Sequence, residues 1–230
     1  MLAIMTQATL YIVTTPIGNL EDITLRALRI LKEVDLIAAE DTRKTSILLN
    51  HYNIKKPLTS YFEHNERFKT SVLIEELKQG KNIALVSEAG TPGISDPGYR
   101  LIHEALEKGI PVVSIPGACA AIAALSISGL PVHRFAFEGF LPQKTGKRKN
   151  FLKKIAAEER TLIFYESPHR IIATLVDMME LLGNRRAVLA RELTKLHEEI
   201  ICGLLSTILK KLENVSIKGE ITVVVEGNKD

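Results

Sequence analysis

The 230-residue sequence contains no tryptophan, two cysteines and only 5% aromatic residues. Two thiols, Cys119 and Cys202, are too few for a disulfide framework. They point to a reducing compartment, the cytoplasm, while a single bridge between them stays open. An excess of one charge is also missing. Thirty Lys and Arg against 27 Asp and Glu leave +3, which excludes a histone-like or tail-type nucleic-acid binder, so any such surface must be local. Neither of the two long uncharged runs is free of helix breakers. Residues 1–20 lack a basic start and run into Thr14, Thr15, Pro16, Gly18 and Asn19, which suits a strand and turn rather than a signal peptide. Residues 109–132 are long enough to span a bilayer, but Pro111, Pro116, Gly117, Gly129 and Pro131 punctuate them. Strand, sharp turn and small-residue helix is the reading adopted there.

Several common motifs are absent too. No G-x-G-x-x-G follows the first strand, which disfavours a dinucleotide site or a standard Rossmann methyltransferase. Thr145-Gly146-Lys147-Arg148 approaches a Walker A loop, yet Gly139 is too far upstream and no Ser or Thr follows Lys147. His197-Glu198 opens like H-E-x-x-H, but Ile201 stands where the second histidine belongs, and no metal site is expected. There is no internal repeat.

What is present is the composition of a folded protein, 46% hydrophobic and 25% charged. Strands are predicted at 10–14, 36–39, 82–87 and 112–115. Helices are predicted after a Thr24 cap and at 45–49, 65–79, 99–108 and 118–128. A second set of elements follows from about residue 134: strands at 161–166, 187–192, 199–202 and 220–226, and helices at 170–182 and 206–212. Two α/β domains, 1–130 and 131–230, are expected. The first carries 13 basic and 14 acidic residues and the second 17 and 13, so the positive excess lies wholly in the second.

In an open α/β sheet, ligands bind beyond the carboxyl ends of the strands, where Gly and Pro let bare backbone approach them. Three junctions fit: 14–19 with Pro16, Ile17 and Gly18; 87–98 with Gly90, Thr91, Pro92 and Ile94; and 115–120 with Gly117, Ala118, Cys119 and Ala120. Twelve residues of turn chemistry between a buried strand and a helix favour a functional loop for the second. Glu40-Asp41-Thr42-Arg43 is either a proton acceptor among tuned charges or an ordinary helix cap. Glu166-Ser167-Pro168-His169-Arg170 reads as a helix start that leaves His169 and Arg170 for an anion. Lys144, Lys147, Arg148, Lys149, Lys153 and Lys154 place six cations in eleven residues without an acid. They follow the apolar run Phe135, Phe137, Phe140, Leu141 and Pro142. A solvated face is the plain reading, and a loop contacting RNA phosphates beside stacked bases is the preferred one.

Together these segments resemble the tetrapyrrole methylase family, in particular its branch that methylates small-subunit ribosomal RNA. The resemblance rests on residues 11–24, 40–43, 87–98, 116–118, 139–142, 164–170, 191–195 and 219–220, in order along nearly the whole chain. Glu88, where the family often has Asp, and Cys119, where a serine or similar small residue is common, are the departures. The resemblance implies two α/β domains unlike a standard Rossmann methyltransferase, a homodimer, and S-adenosylmethionine bound without metal in the cleft between domains. It also implies 2′-O-methylation of a cytidine ribose in the decoding centre of 16S rRNA, on the small ribosomal subunit or a late precursor. By the same resemblance, Ile17, Thr91, Ile94, Cys119 and Ala120 contact the cofactor, and Tyr165, Leu193, Gly219 and Glu220 complete its pocket. Asp41, Glu88, Asp96 and Glu166 are then the candidate proton acceptors. Arg43, His169, Arg170 and the lysine-rich segment would position phosphates.

Overall fold

A computed structural model describes residues 8–213 and 215–229. The start of the uncharged N-terminal stretch, residues 1–7, lies outside them. The chain divides between Cys119 and Ala120 into two compact units.

The first unit is a parallel sheet covered by helices on both faces. Strands β1 (Leu10–Val13), β2 (Leu36–Ala39), β3 (Leu58–Ser60), β4 (Ile83–Val86) and β5 (Val112–Ile115) lie in the order β3-β2-β4-β1-β5, and every pairing is parallel. Side chains alternate between faces along a strand, so a strand buried on both sides must be apolar throughout. β4 shows this: Ile83 and Leu85 join Leu73, Ile74 and Leu77 of α3 (Glu66–Lys78) and Leu101 and Ala105 of α4 (Tyr99–Glu107). Ala84 and Val86 instead join Ala27, Ile30 and Leu31 of α1 (Leu25–Glu33) and Leu49 of α2 (Thr42–His51). Thr24 caps α1 by accepting a hydrogen bond from the Ala27 N–H at 3.1 Å.

The second unit is a mixed sheet of β6 (Phe135–Phe140), β7 (Thr161–Glu166), β8 (Arg186–Arg191), β9 (Glu199–Leu204) and β10 (Ile221–Val225), in the order β6-β7-β10-β8-β9. β6 and β7 are parallel; the remaining pairs are antiparallel. Leu152 of α6 (Thr145–Lys154), Ile171, Leu175 and Met178 of α7 (Ile171–Leu182), and Leu205 and Ile208 of α8 (Leu205–Leu212) pack with Phe164, Leu189 and Val223 from the strands. Helix α5 (Ala120–Ser126) packs on β7 and β10. The division between units therefore falls eleven residues before the expected end of the first domain at 130, since the small-residue helix sides with the sheet that follows it.

Several elements differ from the sequence reading, among them β6, since no strand is predicted at 135–140. β3 is a three-residue edge strand that was not expected. α2 begins at Thr42 rather than 45 because Asp41 caps it. The lysine-rich segment expected as a loop is the helix α6.

Candidate active site

β4, β1 and β5 are neighbours in a parallel sheet, so the loops leaving their carboxyl ends converge. Thr15 and Gly90 pair through two backbone hydrogen bonds, the Thr15 N–H donating to the Gly90 carbonyl at 2.9 Å and the Gly90 N–H to the Thr15 carbonyl at 3.1 Å. The Thr14 N–H donates to the Ile115 carbonyl at 3.1 Å, and the Thr14 hydroxyl lies 3.1 Å from that of Thr91. A Cβ at Gly117 would stand 3.0 Å from both Cβ and Cγ2 of Thr14, so any side chain there requires Thr14 to give by a few tenths of an ångström. The Cβ position of Gly90 faces Ile17 Cγ2 at 3.5 Å and the Ala118 carbonyl at 3.9 Å. Ile17, Gly90, Thr91, Gly117 and Ala118 are thus brought together, with Pro16 beside them in sequence. Pro92 is buried, and Gly18 and Ile94 are exposed at the loop tips. Cys119 is half-buried; both cysteines are free thiols. Helix α5 starts at Ala120, so Gly117–Cys119 precede it instead of forming its first turn.

The 87–98 loop is fastened at several points. The Glu88 N–H donates to Glu40 Oε2 at 3.0 Å, the Ile94 N–H to the Thr91 carbonyl at 3.2 Å, and the Gly93 N–H to the Pro97 carbonyl at 3.2 Å. Its last residue, Gly98, has φ of +150°, and a Cβ there would meet the Gly93 nitrogen at 2.9 Å. The Gly98 N–H donates to Glu66 Oε1 at 3.2 Å, and the same oxygen accepts from the Tyr61 hydroxyl at 3.0 Å. Tyr61 is fully buried and its hydroxyl also meets that of Thr70 at 3.1 Å. Burial, above all, holds this phenol above its ordinary range.

Of the acidic candidates on this edge, Asp41 is occupied. Its carboxylate accepts the Arg43 and Lys44 N–H groups at 2.8 and 3.4 Å as the cap of α2, and the Arg43 guanidinium at 3.2 and 3.0 Å. The Arg43 hydrogen bonds hold the carboxyl at about 2, a poor proton acceptor, and the same pairing raises the Arg43 guanidinium. Glu88 is exposed and paired with Lys44, a residue that sequence reasoning passed over. Asp96 is half-buried in the same loop.

In the second unit, the Tyr165 hydroxyl accepts a hydrogen bond from the Ala121 N–H at 3.3 Å, which ties the first turn of α5, including Ala120, to β7. Phe137 and Phe140 meet the Tyr165 ring edge-on at 4.9 and 5.6 Å. Glu166 is buried and fully engaged: it accepts from the Ser167 N–H at 2.6 Å and the Thr174 hydroxyl at 2.7 Å, and pairs with Arg170 at 2.5 Å. Arg170 also donates to the Leu141 carbonyl at 3.2 Å, so both residues are engaged at the start of α7. Leu193 is buried beside a cluster formed by Glu192, Lys195, Gly219 and Glu220. The Glu220 N–H donates to Glu192 Oε1 at 2.9 Å, and Lys195 donates to Glu192 and Glu220 at 2.8 Å each. The hydrogen bond from Lys195, first, lowers the Glu192 carboxyl. Burial pushes Lys195 down, but its two carboxylate partners outweigh it and leave the ammonium raised.

The basic segment requires a correction. Arg148 is not a free cation: it is buried and reaches Asp177 of α7 at 2.7 Å. Lys149 is held by Glu180 at 2.6 Å and stands 3.6 Å from Asp177. The Glu180 hydrogen bond, before any other influence, raises the Lys149 ammonium. Lys144, Lys147, Lys153, Lys154 and His169 are exposed. A helix places Arg148 and Leu152 four apart on its inner face and Lys147 and Lys154 seven apart on its outer one. A loop reading could not make that distinction.

Among the described residues no group of His, Cys, Asp and Glu is arranged to hold a metal ion, and no helix is long and apolar enough to cross a membrane.

The description of the tetrapyrrole (corrin/porphyrin) methylases matches residues 9–209. The chain belongs to this family. Within it, the chain groups with proteins named ribosomal RNA small subunit methyltransferase I. It is 56% identical to the one from Haemophilus influenzae over 95% of this chain and 78% of that one, and 50% identical to the one from Thermotoga maritima over 95% and 98%. A diphthine synthase crystal structure superposes with a TM-score of 0.72 at 17% identity, covering 95% of this chain and 90% of that one. A uroporphyrin-III-C-methyltransferase from Thermus thermophilus gives 0.65 at 21%, over 95% and 94%. These two share the fold. The methylases of this family take their methyl group from S-adenosylmethionine. The converged loops suit such a donor: Gly117 exposes main chain, and the buried Thr15 hydroxyl has no hydrogen-bond partner among the described residues.

Proposed function

We propose that this chain transfers a methyl group from S-adenosylmethionine to the 2′-hydroxyl of a cytidine ribose in the decoding centre of 16S rRNA. Its substrate in this reading is the small ribosomal subunit or a late precursor in the cytoplasm, and the working form is a homodimer. The observation that carries the proposal is the three-loop junction of Thr14, Thr15, Gly90 and Gly117, in a chain about half identical to named small-subunit rRNA methyltransferases.

Bound there, S-adenosylmethionine supplies a methyl group on a positively charged sulfur. The chain's task is then to align, dry and deprotonate. Main-chain groups of Pro16, Gly18, Pro92, Gly117, Ala118, Cys119 and Ala120 hold the polar parts of the ligand, and Gly90, whose N–H is spent on Thr15, fixes the loop beside it. Ile17, Thr91 and Ile94 exclude water from it. Tyr165, Leu193, Gly219 and Glu220 are proposed as further contacts. Glu88, paired with Lys44, and Asp96 are the acidic candidates left on the loop to take the ribose proton, directly or through water, because Asp41 is occupied as a cap and Glu166 as a buried anchor. Lys144, Lys147, Lys153, Lys154 and His169 hold phosphates.

The test is incubation with methyl-labelled S-adenosylmethionine and small subunits lacking the modification. Label in the ribose of one cytidine is expected. Label on a base, or transfer to a porphyrinoid in a parallel incubation and none to RNA, would overturn the reading.

A further inference from the structure

We infer that Glu66 is a positioning residue for methyl transfer, holding the far half of the 87–98 loop in its ligand-binding shape through the Gly98 N–H. This rests on the reading of that loop as the one that binds S-adenosylmethionine.

The near half of the loop is fastened to the sheet by the Thr15–Gly90 pair. The far half carries Ile94 and two residues of left-handed backbone, Gly93 at φ +84° and Ser95 at +63°. A tight turn of this kind keeps one shape only if its end is held. Gly98 is that end, and it packs closely on the start of the turn: an added Cβ would stand 2.9 Å from the Gly93 nitrogen and 3.2 Å from Leu85 Cδ2. Its N–H points at Glu66 Oε1 at 3.2 Å.

Glu66 is itself held, which separates a positioning group from a passing contact. It lies in the first turn of α3, and its carboxylate accepts from Tyr61 at 3.0 Å. Tyr61 in turn is fixed by its own N–H, which donates to the Ala39 carbonyl at the end of β2 at 2.8 Å. The chain from β2 through Tyr61 and Glu66 to Gly98 thus ties the loop after β4 to the neighbouring strand's end. A carboxylate suits the place because one oxygen accepts from two donors at once.

The experiment uses the full chain with S-adenosylmethionine in titration calorimetry, and with undermethylated small subunits in steady-state kinetics. Wild type is titrated first: no heat of binding there fails the cofactor reading itself and is distinct from any result on Glu66. Glu66→Ala is expected to weaken S-adenosylmethionine binding, and raise its KM, about tenfold, with kcat moving less than about twofold. Glu66→Gln keeps an acceptor oxygen and is expected to recover binding to within about threefold of wild type. Hydrogen exchange in 87–98 should rise in Glu66→Ala and return in Glu66→Gln. A folded Glu66→Ala chain that binds S-adenosylmethionine like wild type overturns the inference, as does a Glu66→Gln chain as weak as Glu66→Ala. Should Glu66→Ala fail to fold, Tyr61→Phe decides: loosened binding with faster exchange in 87–98 supports the tether, and wild-type binding overturns it.

Discussion

Arg148 of α6 and Asp177 of α7 face each other at 2.7 Å with side chains only 4% and 6% exposed. A buried pair of this kind contributes little over a well-packed apolar contact, but removing one partner strands a charge out of water. Arg148→Ala is therefore expected to lower unfolding free energy by about 3–5 kcal/mol, read from urea denaturation. The neighbouring Lys147→Ala, on the exposed face, should change it by less than about 0.5 kcal/mol. Equal effects at the two positions would refute the helix assignment of this segment.

Asp41 links the cap of α2 to acid stability. Hydrogen bonds from the Arg43 side chain and backbone hold its carboxyl at about 2, below the ordinary 3.8. A carboxyl depressed on folding adds stability that is present above the unfolded value and is lost as pH falls toward the folded one. Asp41→Asn should thus be less stable than wild type at pH 5, and the gap should close as pH falls from about 4 to 2. A gap that stays constant over that window would show that Asp41 remains unpaired in the folded chain.

Gly117 tests the junction of the loops. The Gly117→Ala methyl would arrive 3.0 Å from Thr14 Cβ and Cγ2, forcing Thr14 to move and disturbing its contact with Thr91. Weakening of S-adenosylmethionine binding by about tenfold, some 1.4 kcal/mol, is expected in calorimetry. Unchanged binding would mean that the third loop lies outside the cofactor site.

Glu88 is the carboxylate to test for proton transfer. Glu88→Gln should reduce kcat by roughly a hundredfold while leaving the dissociation constant for S-adenosylmethionine within about twofold. An unchanged kcat would hand the proton to solvent and remove Glu88 from the chemistry.

The first sheet was legible because two-sided burial demands unbroken apolar runs such as Ile83–Val86. β3 was not, because three half-buried residues at a sheet edge leave no such run. α6 escaped for a related reason: its inner face is Arg148 and Leu152, and a buried arginine carries the signature of solvent until its partner, 29 residues away, is known. The site shows the same split. Glycines and prolines announced the loops, since backbone approach needs those residue types locally. The groups that hold the loops, Glu66 and Thr14, meet them only after folding, 32 and 77 residues away in sequence.

The corrected face of α6 sharpens the RNA reading. Each lysine that neutralises a phosphate releases counterions and steepens the salt dependence of binding. Lys147 and Lys154 share the exposed side, whereas Lys149 is already committed to Glu180. Binding of undermethylated small subunits, measured across salt concentrations, should lose about 0.7–0.9 from its logarithmic slope for Lys147→Ala and again for Lys154→Ala. Lys149→Ala should lose much less, and Lys108→Ala, on the first unit, nothing. Equal losses at Lys147 and Lys108 would mean that charge in general attracts the RNA, and the α6 face would have no special part in binding it.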